Sequence, residues 1–243
     1  LDLYNNQVDI GVRVETSNIV MDEINKNLYE GKFIYNTSVG TRVRTFCSNP
    51  SGHVVIENHE GTMMANGHAY HDPKLGSDNT NFALLVSHVF SEPFNQPNEF
   101  AHQVAQLANK LSNGSIIVQR YGDIQKGRRT TEKRLKEGYT VPTLPEAGPG
   151  DLGLVLPYNT MKSIVEMIEA LDHVTPGIAN EHTLLYGVEA KFYSARPKVR
   201  EGFETLVDGL YVAGDGAGLT RGLAQAGANG ILVARDIIKR LGE

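Results

Sequence analysis

Asp215 is a single carboxylate set among glycines, with Gly214 and Gly216 on either side, Gly218 just beyond, and Gly222 opening the next segment. The surrounding stretch, LYVAGDGAGLTRGLAQAGANG from Leu210 to Gly230, reads as a short buried strand, a glycine-lined turn and a helix. Glycines remove side chains where backbone must approach a ligand, and ligands of open α/β sheets bind at the carboxyl ends of strands, so this pattern suits a nucleotide cofactor. Gly222, Ala226, Gly230 and Ala234 recur every four residues, a stripe that lets a helix lie close to a sheet or a cofactor. The bland alternative is plain close packing of an Ala/Gly helix.

Other residues offer different chemistry. Cys47 stands near the end of a strand-like run, where a thiol could face a cofactor or substrate or simply be a small buried residue. His68, in Asn66-Gly67-His68, is of the residue type whose unperturbed pKa of about 6.5 suits proton transfer near neutrality. Glu189 and Lys191 share strand parity, with Arg196 shortly beyond, so they either bind an acidic substrate or pair with each other. His53, His59, His68 and His71 fall close together beside Asp72, which invites a metal-dependent hydrolase. Their spacings match no helix-face ligand pair, and His53 and His59 lie at opposite ends of one predicted strand, so no metal site is assigned.

The glycine-aspartate stretch resembles the C-terminal FAD-binding segment of glutathione-reductase-type flavoproteins. The resemblance implies that Asp215 hydrogen-bonds the ribityl chain of FAD, and that backbone N–H groups from about Gly216 to Gly222 face the flavin pyrimidine edge, favouring the anionic reduced flavin. VDIGVRVE (8–15), RTFCSNPSGHVVIE (44–57), NGHAY (66–70), NTNFALLV (79–86) and YGVEAKFYS (186–194) are similar to a family of FAD-dependent dehydrogenases. With the C-terminal segment, that similarity spans nearly the whole chain. It places Asn66 to His68 near the substrate side of the flavin. Many members carry a second cysteine two positions after the first, where this chain has Asn49, so a cysteine pair is ruled out there. The companion G-x-G-x-x-G that grips the pyrophosphate is missing. Gly148 to Gly153 fits only in spacing, since it follows a proline-rich loop and Pro149 has no N–H to offer. The chain opens at Leu1 rather than Met, and the expectation is a portion of a longer flavoprotein, binding FAD weakly by itself.

The elements that must position these groups follow from periodicity. Val8, Ile10, Val12 and Val14 alternate with Asp9, Arg13 and Glu15, a strand with one buried face; a second runs through Val39, Thr41, Val43 and Thr45. Further strands are expected at 53–57, 62–65, 82–88 and 115–119, and helices at 22–30, from about Asn98 and from about Asn159. Residues 120–151 hold a basic cluster (Lys126, Arg128, Arg129, Lys133, Arg134, Lys136) read as a solvated helix or loop. The expected class is α+β: a mixed-sheet substrate domain over 1–185, then the C-terminal strand and helix of a Rossmann-like FAD-binding domain over 186–243.

The 243 residues carry a net charge of −5, which gives no general attraction to nucleic acid or anionic lipid, and no apolar run approaches the roughly 20 residues needed to span a bilayer. One cysteine excludes an internal disulfide and fits a reducing, cytoplasmic setting. Two flavoprotein readings stand ahead of the metal-dependent hydrolase. The chain is the substrate-binding and C-terminal cofactor portion of an FAD-dependent oxidoreductase acting on an unidentified small molecule or electron partner, or it is a non-catalytic binding module on the same fold. The small-residue stripe is also expected to leave an apolar patch that invites self-association.

Overall fold

A computed structural model describes the chain except residues 2, 5, 6, 29, 194, 221 and 243. Its elements are β1 (Leu3–Tyr4), β2 (Val8–Ser17), α1 (Asn18–Asn27), β3 (Ile34–Asn36), β4 (Arg42–Asn49), β5 (His53–His59), β6 (Thr62–His68), β7 (Asn79–His88), α2 (Pro97–Leu111), β8 (Ile117–Arg120), α3 (Tyr121–Gln125), α4 (Glu132–Lys136), β9 (Gly148–Pro149), α5 (Tyr158–Asp172), β10 (Leu184–Lys191), β11 (Arg196–Pro197) and α6 (Leu223–Leu241). They divide into a larger unit, Asp9–His88 with Glu99–Lys191, and a smaller one, Leu1–Val8 with Val89–Asn98 and Phe192–Glu243. Among the described residues, no helix is long and apolar enough to cross a membrane.

The larger unit is built on a seven-stranded sheet in the order β3-β4-β7-β2-β10-β8-β9. The β3–β4, β4–β7, β2–β10 and β8–β10 pairs are antiparallel and β8–β9 is parallel, so the class is α+β with a mixed sheet. Helix α5 covers β4 and β7 on one face, and α1 adds to the same layer. The other face carries the β5–β6 hairpin, whose Val54 and Ala65 join Leu184, Tyr186, Ile116, Val118 and Leu144 in a buried cluster.

This second cover changes the reading of β2. One solvated face was expected, but Asp9, Arg13 and Glu15 are as inaccessible as Val8, Ile10, Val12 and Val14. A strand in the middle of a sheet with layers on both sides has no face left for water, so its charged residues require partners in the protein. The four aliphatic residues contribute about 1.5–3 kcal/mol each by burial.

Several boundaries shift for local reasons. Helix α1 starts four residues earlier than periodicity placed it, because the Ser17 hydroxyl accepts from the Ile19 N–H and so caps its first turn. Glu30 lies outside that helix, and Tyr29 lies outside the described residues. Val39 falls in the turn that closes Thr37–Gly40, so β4 begins at Arg42, and the short strand β3 beside it was not anticipated. The basic segment is only partly a solvated loop: Arg128 and Arg134 both bond the Asp123 carboxylate, which is buried. Burial pushes the Asp123 pKa up, but the bonds from Arg128, Thr130 and Arg134 outweigh it and hold the group below its ordinary value.

In the smaller unit, β1 pairs with β11 and the Arg196 guanidinium lies 5.4 Å from the Tyr4 ring centroid. Helix α6 packs on the turn at Glu201–Phe203, where Gly202 adopts φ +81° and a Cβ would fall 2.1 Å from the Asp236 carboxylate. Arg240 ties the helix end to Glu204 and Asp236.

The expected strand at Leu210–Ala213 does not form. Tyr211 makes a single bridge to Glu204, and Leu210 is 42% exposed. So short a segment is a strand only when a neighbour pairs along its length, and here the pairing is one residue long. The small-residue stripe is a packing surface at one point only: a Cβ on Gly214 would lie 3.6 Å from Ala226, but one on Gly230 would meet nothing within 4 Å. The inward residues of α6 are Asn229 and Val233, while Leu223, Ile231, Leu232, Ile238 and Leu241 are exposed.

Candidate functional site

The charged residues of β2 find their partners on the hairpin side of the sheet. Arg13 sits at the centre: its Nε donates to Glu189 Oε2 at 2.8 Å and its Nη2 to Glu189 Oε1 at 2.7 Å. Both side chains have no solvent exposure. Parallel bonds of this kind suit guanidinium and carboxylate geometry and offset the cost of burying two charges. Lys191 Nζ lies 3.4 Å from Glu189 Oε1 and 3.6 Å from Glu57 Oε2, adding a second cation and a second carboxylate.

The remaining Arg13 donors reach two other elements. Nη1 donates to the Cys47 carbonyl at 2.8 Å and Nη2 to Asn66 Oδ1 at 3.2 Å. Asn66 Nδ2 in turn donates to Glu57 Oε2 at 2.8 Å. One side chain therefore gathers β4, β6 and β10 onto β2. Gly67 is glycine for a steric reason, since a Cβ there would lie 2.3 Å from Asn81 Oδ1, 2.4 Å from Asn49 Nδ2 and 2.8 Å from Arg13 Nη1.

Cys47 occupies a β-bulge, where the β4–β7 register shifts between Phe46 and Asn49. Its φ is +48°, in the left-handed region, which costs a non-glycine residue of order 1–3 kcal/mol and persists only when the surroundings enforce it. They do so from three directions. The Cys47 N–H donates to Glu30 Oε1 at 3.1 Å, and its carbonyl accepts from Arg13 and from Asn49 Nδ2. The thiol is half-buried, with Sγ 3.8 Å from Asn49 Nδ2. Bulges held in this way re-aim a side chain, and they concentrate at functional sites.

Of the residues singled out from sequence, Cys47, Glu189 and Lys191 converge on this centre, together with Asn66 and Gly67. Glu189 and Lys191 do pair, but around a buried arginine rather than on a surface. His68 is exposed and turns to Tyr70, ring edge to face at 4.7 Å; across the hairpin end His53 meets the same Tyr70 at 5.5 Å. Arg196 belongs to the smaller unit, against Tyr4. The four clustered histidines do not form one group: His53 pairs with His68 at one end of the hairpin, whereas His59 is at the other, 5.1 Å from His102 of α2. Ser194, which ends the YGVEAKFYS block, is outside the described residues.

A second buried polar centre lies farther along β2. Glu15 accepts from Tyr186 Oη and Thr143 Oγ1, each at 2.5 Å, and from Asn79 Nδ2 at 3.1 Å. Burial, then the adjacent Glu15 charge, raises the Tyr186 phenol well above its ordinary pKa. Asp9 pairs with Arg44 at 2.7 Å, and neighbouring His88 is lowered from its ordinary value by burial, which the Asp9 charge only partly opposes.

The glycine turn of the smaller unit keeps its open character. Gly214 (φ +72°) and Gly218 (φ +68°) adopt left-handed conformations, and Asp215 is exposed rather than aimed into a core. A Cβ on Gly216 would meet nothing within 4 Å. Not every N–H is available to a ligand: Gly214 N–H donates to Asn229 Oδ1 at 2.7 Å, and Gly218 N–H to the Asp215 carbonyl at 2.9 Å. Gly222 takes the N-cap position of α6 with no side chain capping it, and Leu223 to Gln225 are exposed. Arg221 lies outside the described residues. Asn229 was not singled out from the sequence; a polar residue on the inner side of an Ala/Gly helix was the available signal.

A groove of about 720 Å³ in the larger unit runs between Arg128, Asp151, Leu154, Tyr158 and Lys162. None of the residues named from the sequence as catalytic, cofactor-binding or substrate-binding lines it. Gly148–Gly153, which has the spacing of a phosphate loop, instead forms β9 and a short turn in which Asp151 caps the Gly153 N–H.

Comparison with known proteins supplies a family. The model of the family described as FAD-dependent protein, C-terminal domain-like, matches residues 7–192. The chain is also 34% identical over 209 residues to an uncharacterized protein of Clostridium beijerinckii, an alignment covering 82% of this chain and 38% of that protein. The chain thus spans well under half the length of this relative.

Proposed function

Because the chain belongs to the FAD-dependent protein, C-terminal domain-like family, we propose that it forms the substrate-facing part of an FAD-dependent oxidoreductase and supplies one side of the flavin site. The observation that carries the reading is the Cys47 bulge: a thiol-bearing residue is forced into a left-handed conformation by Arg13, Asn49 and Glu30, a strained arrangement that a purely structural strand has no need to keep.

The residues of the smaller unit fit a flavin. Asp215 presents an exposed carboxylate able to accept from ribityl hydroxyls, and the space beside Gly216 leaves room for backbone to approach a ligand. The uncapped start of α6 offers its N–H groups and the positive end of a 19-residue helix to the pyrimidine edge. Gly214 and Gly218 shape the turn, and Asn229 holds it. In this reading the segment completes a Rossmann-like FAD-binding domain of the glutathione-reductase type. FAD, when bound, supplies two-electron transfer.

In the larger unit, Arg13 and Glu189 keep Cys47 in place, and Lys191, half in solvent reach, provides a cation for an acidic substrate. His68, exposed at the hairpin end, serves as the proton donor or acceptor. The competing reading is a non-catalytic binding module, favoured by the mutual neutralisation of Arg13, Glu189, Lys191 and Glu57.

The test uses protein expressed from the complete coding sequence. A visible flavin spectrum that bleaches under a reductant and is lost in Asp215→Ala supports the proposal. A colourless preparation that stays colourless after refolding with FAD overturns it. Retained flavin with unchanged turnover in both Cys47→Ser and His68→Gln removes those two residues from the chemistry, whereas retained flavin without turnover in the parent leaves the binding module.

A further inference from the structure

The tip of the β5–β6 hairpin carries a local rule violation. Its two-residue loop is Glu60-Gly61, closed between His59 and Thr62, and both loop residues have positive φ, +51° and +85°. That is the sign pattern of a type I′ turn, for which Asn-Gly or Asp-Gly is strongly preferred because asparagine and aspartate tolerate left-handed backbone better than longer side chains. Gly61 conforms. Glu60 does not, and the turn keeps it although the Asn58 side chain already accepts from the Gly61 N–H at 2.8 Å.

Glu60 holds its carboxylate beside two histidines. His59 precedes it in the turn, and His102 comes from α2, so that an imidazole nitrogen from each and a Glu60 oxygen lie within 4.8 Å of one another. The two rings are 5.1 Å apart between centroids, inclined at 52°. A tetrahedral ion with bonds of about 2.1 Å needs its ligand atoms about 3.4 Å apart, a closure that side-chain rotation alone can supply.

The helix and hairpin are also locked together independently of these three residues. Asn109, two helical turns after His102 on the same face of α2, accepts from the Met63 N–H at 2.9 Å and donates to the Met63 carbonyl at 2.8 Å. The backbones bearing the ligands are therefore fixed before any ion arrives, which reduces the ordering cost of binding.

We propose that His59, Glu60 and His102 form a binding site for a divalent transition-metal ion of zinc type, with water completing the coordination. Two imidazoles and one carboxylate suit zinc among the first-row ions, and three protein ligands with an open position is the arrangement of zinc sites that act on water or on a fourth ligand. The bound ion bridges the hairpin tip to α2. The proposal does not depend on the flavin reading.

Zinc titration of the chain by calorimetry is the direct test, beginning from metal-stripped protein. One ion per chain at micromolar or tighter affinity is expected, with a Tm that rises in excess zinc and returns on chelation. Changing residues around a metal ligand already costs 10- to 100-fold in affinity, so loss of a ligand itself in His59→Ala or His102→Ala costs at least about 100-fold. Glu60→Asn separates binding from folding. It restores the residue the turn prefers, so the metal-free protein is at least as stable as the parent while zinc affinity falls at least about tenfold. His53→Ala and His71→Ala leave affinity unchanged. Absence of stoichiometric binding, undiminished affinity in His102→Ala or Glu60→Asn, or equal losses in the His53 and His71 variants would each overturn the assignment.

Discussion

Glu189→Gln is the sharpest probe of the buried centre, because it keeps side-chain volume and removes only charge. Both Glu189 oxygens accept from Arg13, and neither side chain touches solvent. The amide leaves one acceptor and turns a donor toward a guanidinium that has only donors, so one charge-assisted bond is lost at about 1.5–3 kcal/mol and the buried Arg13 charge loses its counter-charge. Breaking a buried ion pair from one side costs about 3–5 kcal/mol in all. Lys191 recovers little, since it also faces Glu57 and is partly exposed. With a urea m-value of about 2–3 kcal/mol per molar, the midpoint falls by about 1–2.5 M. The two units invite separate transitions, so unfolding is followed by hydrogen exchange in peptides covering β2 and β10. The companion variant Arg13→Met with Glu189→Leu replaces the pair by apolar groups and recovers most of the loss. It stays about 1 kcal/mol short because the Cys47 carbonyl keeps Asn49 and loses Arg13. A midpoint within 0.3 M of the parent in Glu189→Gln, below the roughly 1 M minimum calculated above, or a double variant no better than the single, refutes this account.

The other predictions are shorter. His88 has its pKa lowered by burial, so the unfolded chain takes up the proton first, and stability is lost as pH falls through about 6.5 toward the lower folded value; His88→Gln flattens the unfolding midpoint between pH 7.5 and 5.5. Gly67→Ala forces a methyl against Asn81, Asn49 and Arg13, costs about 1–3 kcal/mol, and raises the rate at which a thiol reagent labels Cys47, because the clamp on its carbonyl loosens. Gly11→Ala is worse, since its Cβ would lie 1.8 Å from the Leu84 backbone oxygen; soluble yield falls sharply. Tyr121, pushed up to about 12 chiefly by burial, and Tyr186, raised by burial and then by Glu15, ionise above the ordinary tyrosine range in a spectrophotometric titration. Stability that these two phenols contribute below pH 10 is lost as pH rises above it.

What could be read in advance was set by local pattern. Helices α2 and α5 were visible because one apolar stripe meets one buried layer, and the hairpin strands because turn residues bracket them. The second burial of β2 was not visible, since alternation of Val with Asp, Arg and Glu is what a half-exposed strand also shows; only the hairpin, some fifty residues later, decides between them. The same limit hid Arg13. Its partners come from positions 47, 66 and 189, and nothing near residue 13 announces any of them. The glycine turn was legible as a turn, but its leading strand was not there, because pairing along a strand is a property of neighbours.

Arg13 also sets how the centre responds to motion. Among the described residues it is the one side chain that bonds β4, β6 and β10 at once, so one of the three contacts that hold Cys47 left-handed is shared with the docked hairpin. If the hairpin opens, Asn66 leaves, Arg13 loses an acceptor and its hold on the Cys47 carbonyl loosens in the same event. Cys47 reactivity therefore reports hairpin docking, and a ligand at the far tip, where His59 and His102 meet, must slow it if the hairpin moves as one body. Thiol labelling slowed severalfold by excess zinc in the parent chain, but not in Glu60→Asn, joins the two ends of the hairpin. Labelling indifferent to zinc that is bound stoichiometrically shows that the ends open separately, and that Arg13 fixes Cys47 without the rest of the hairpin.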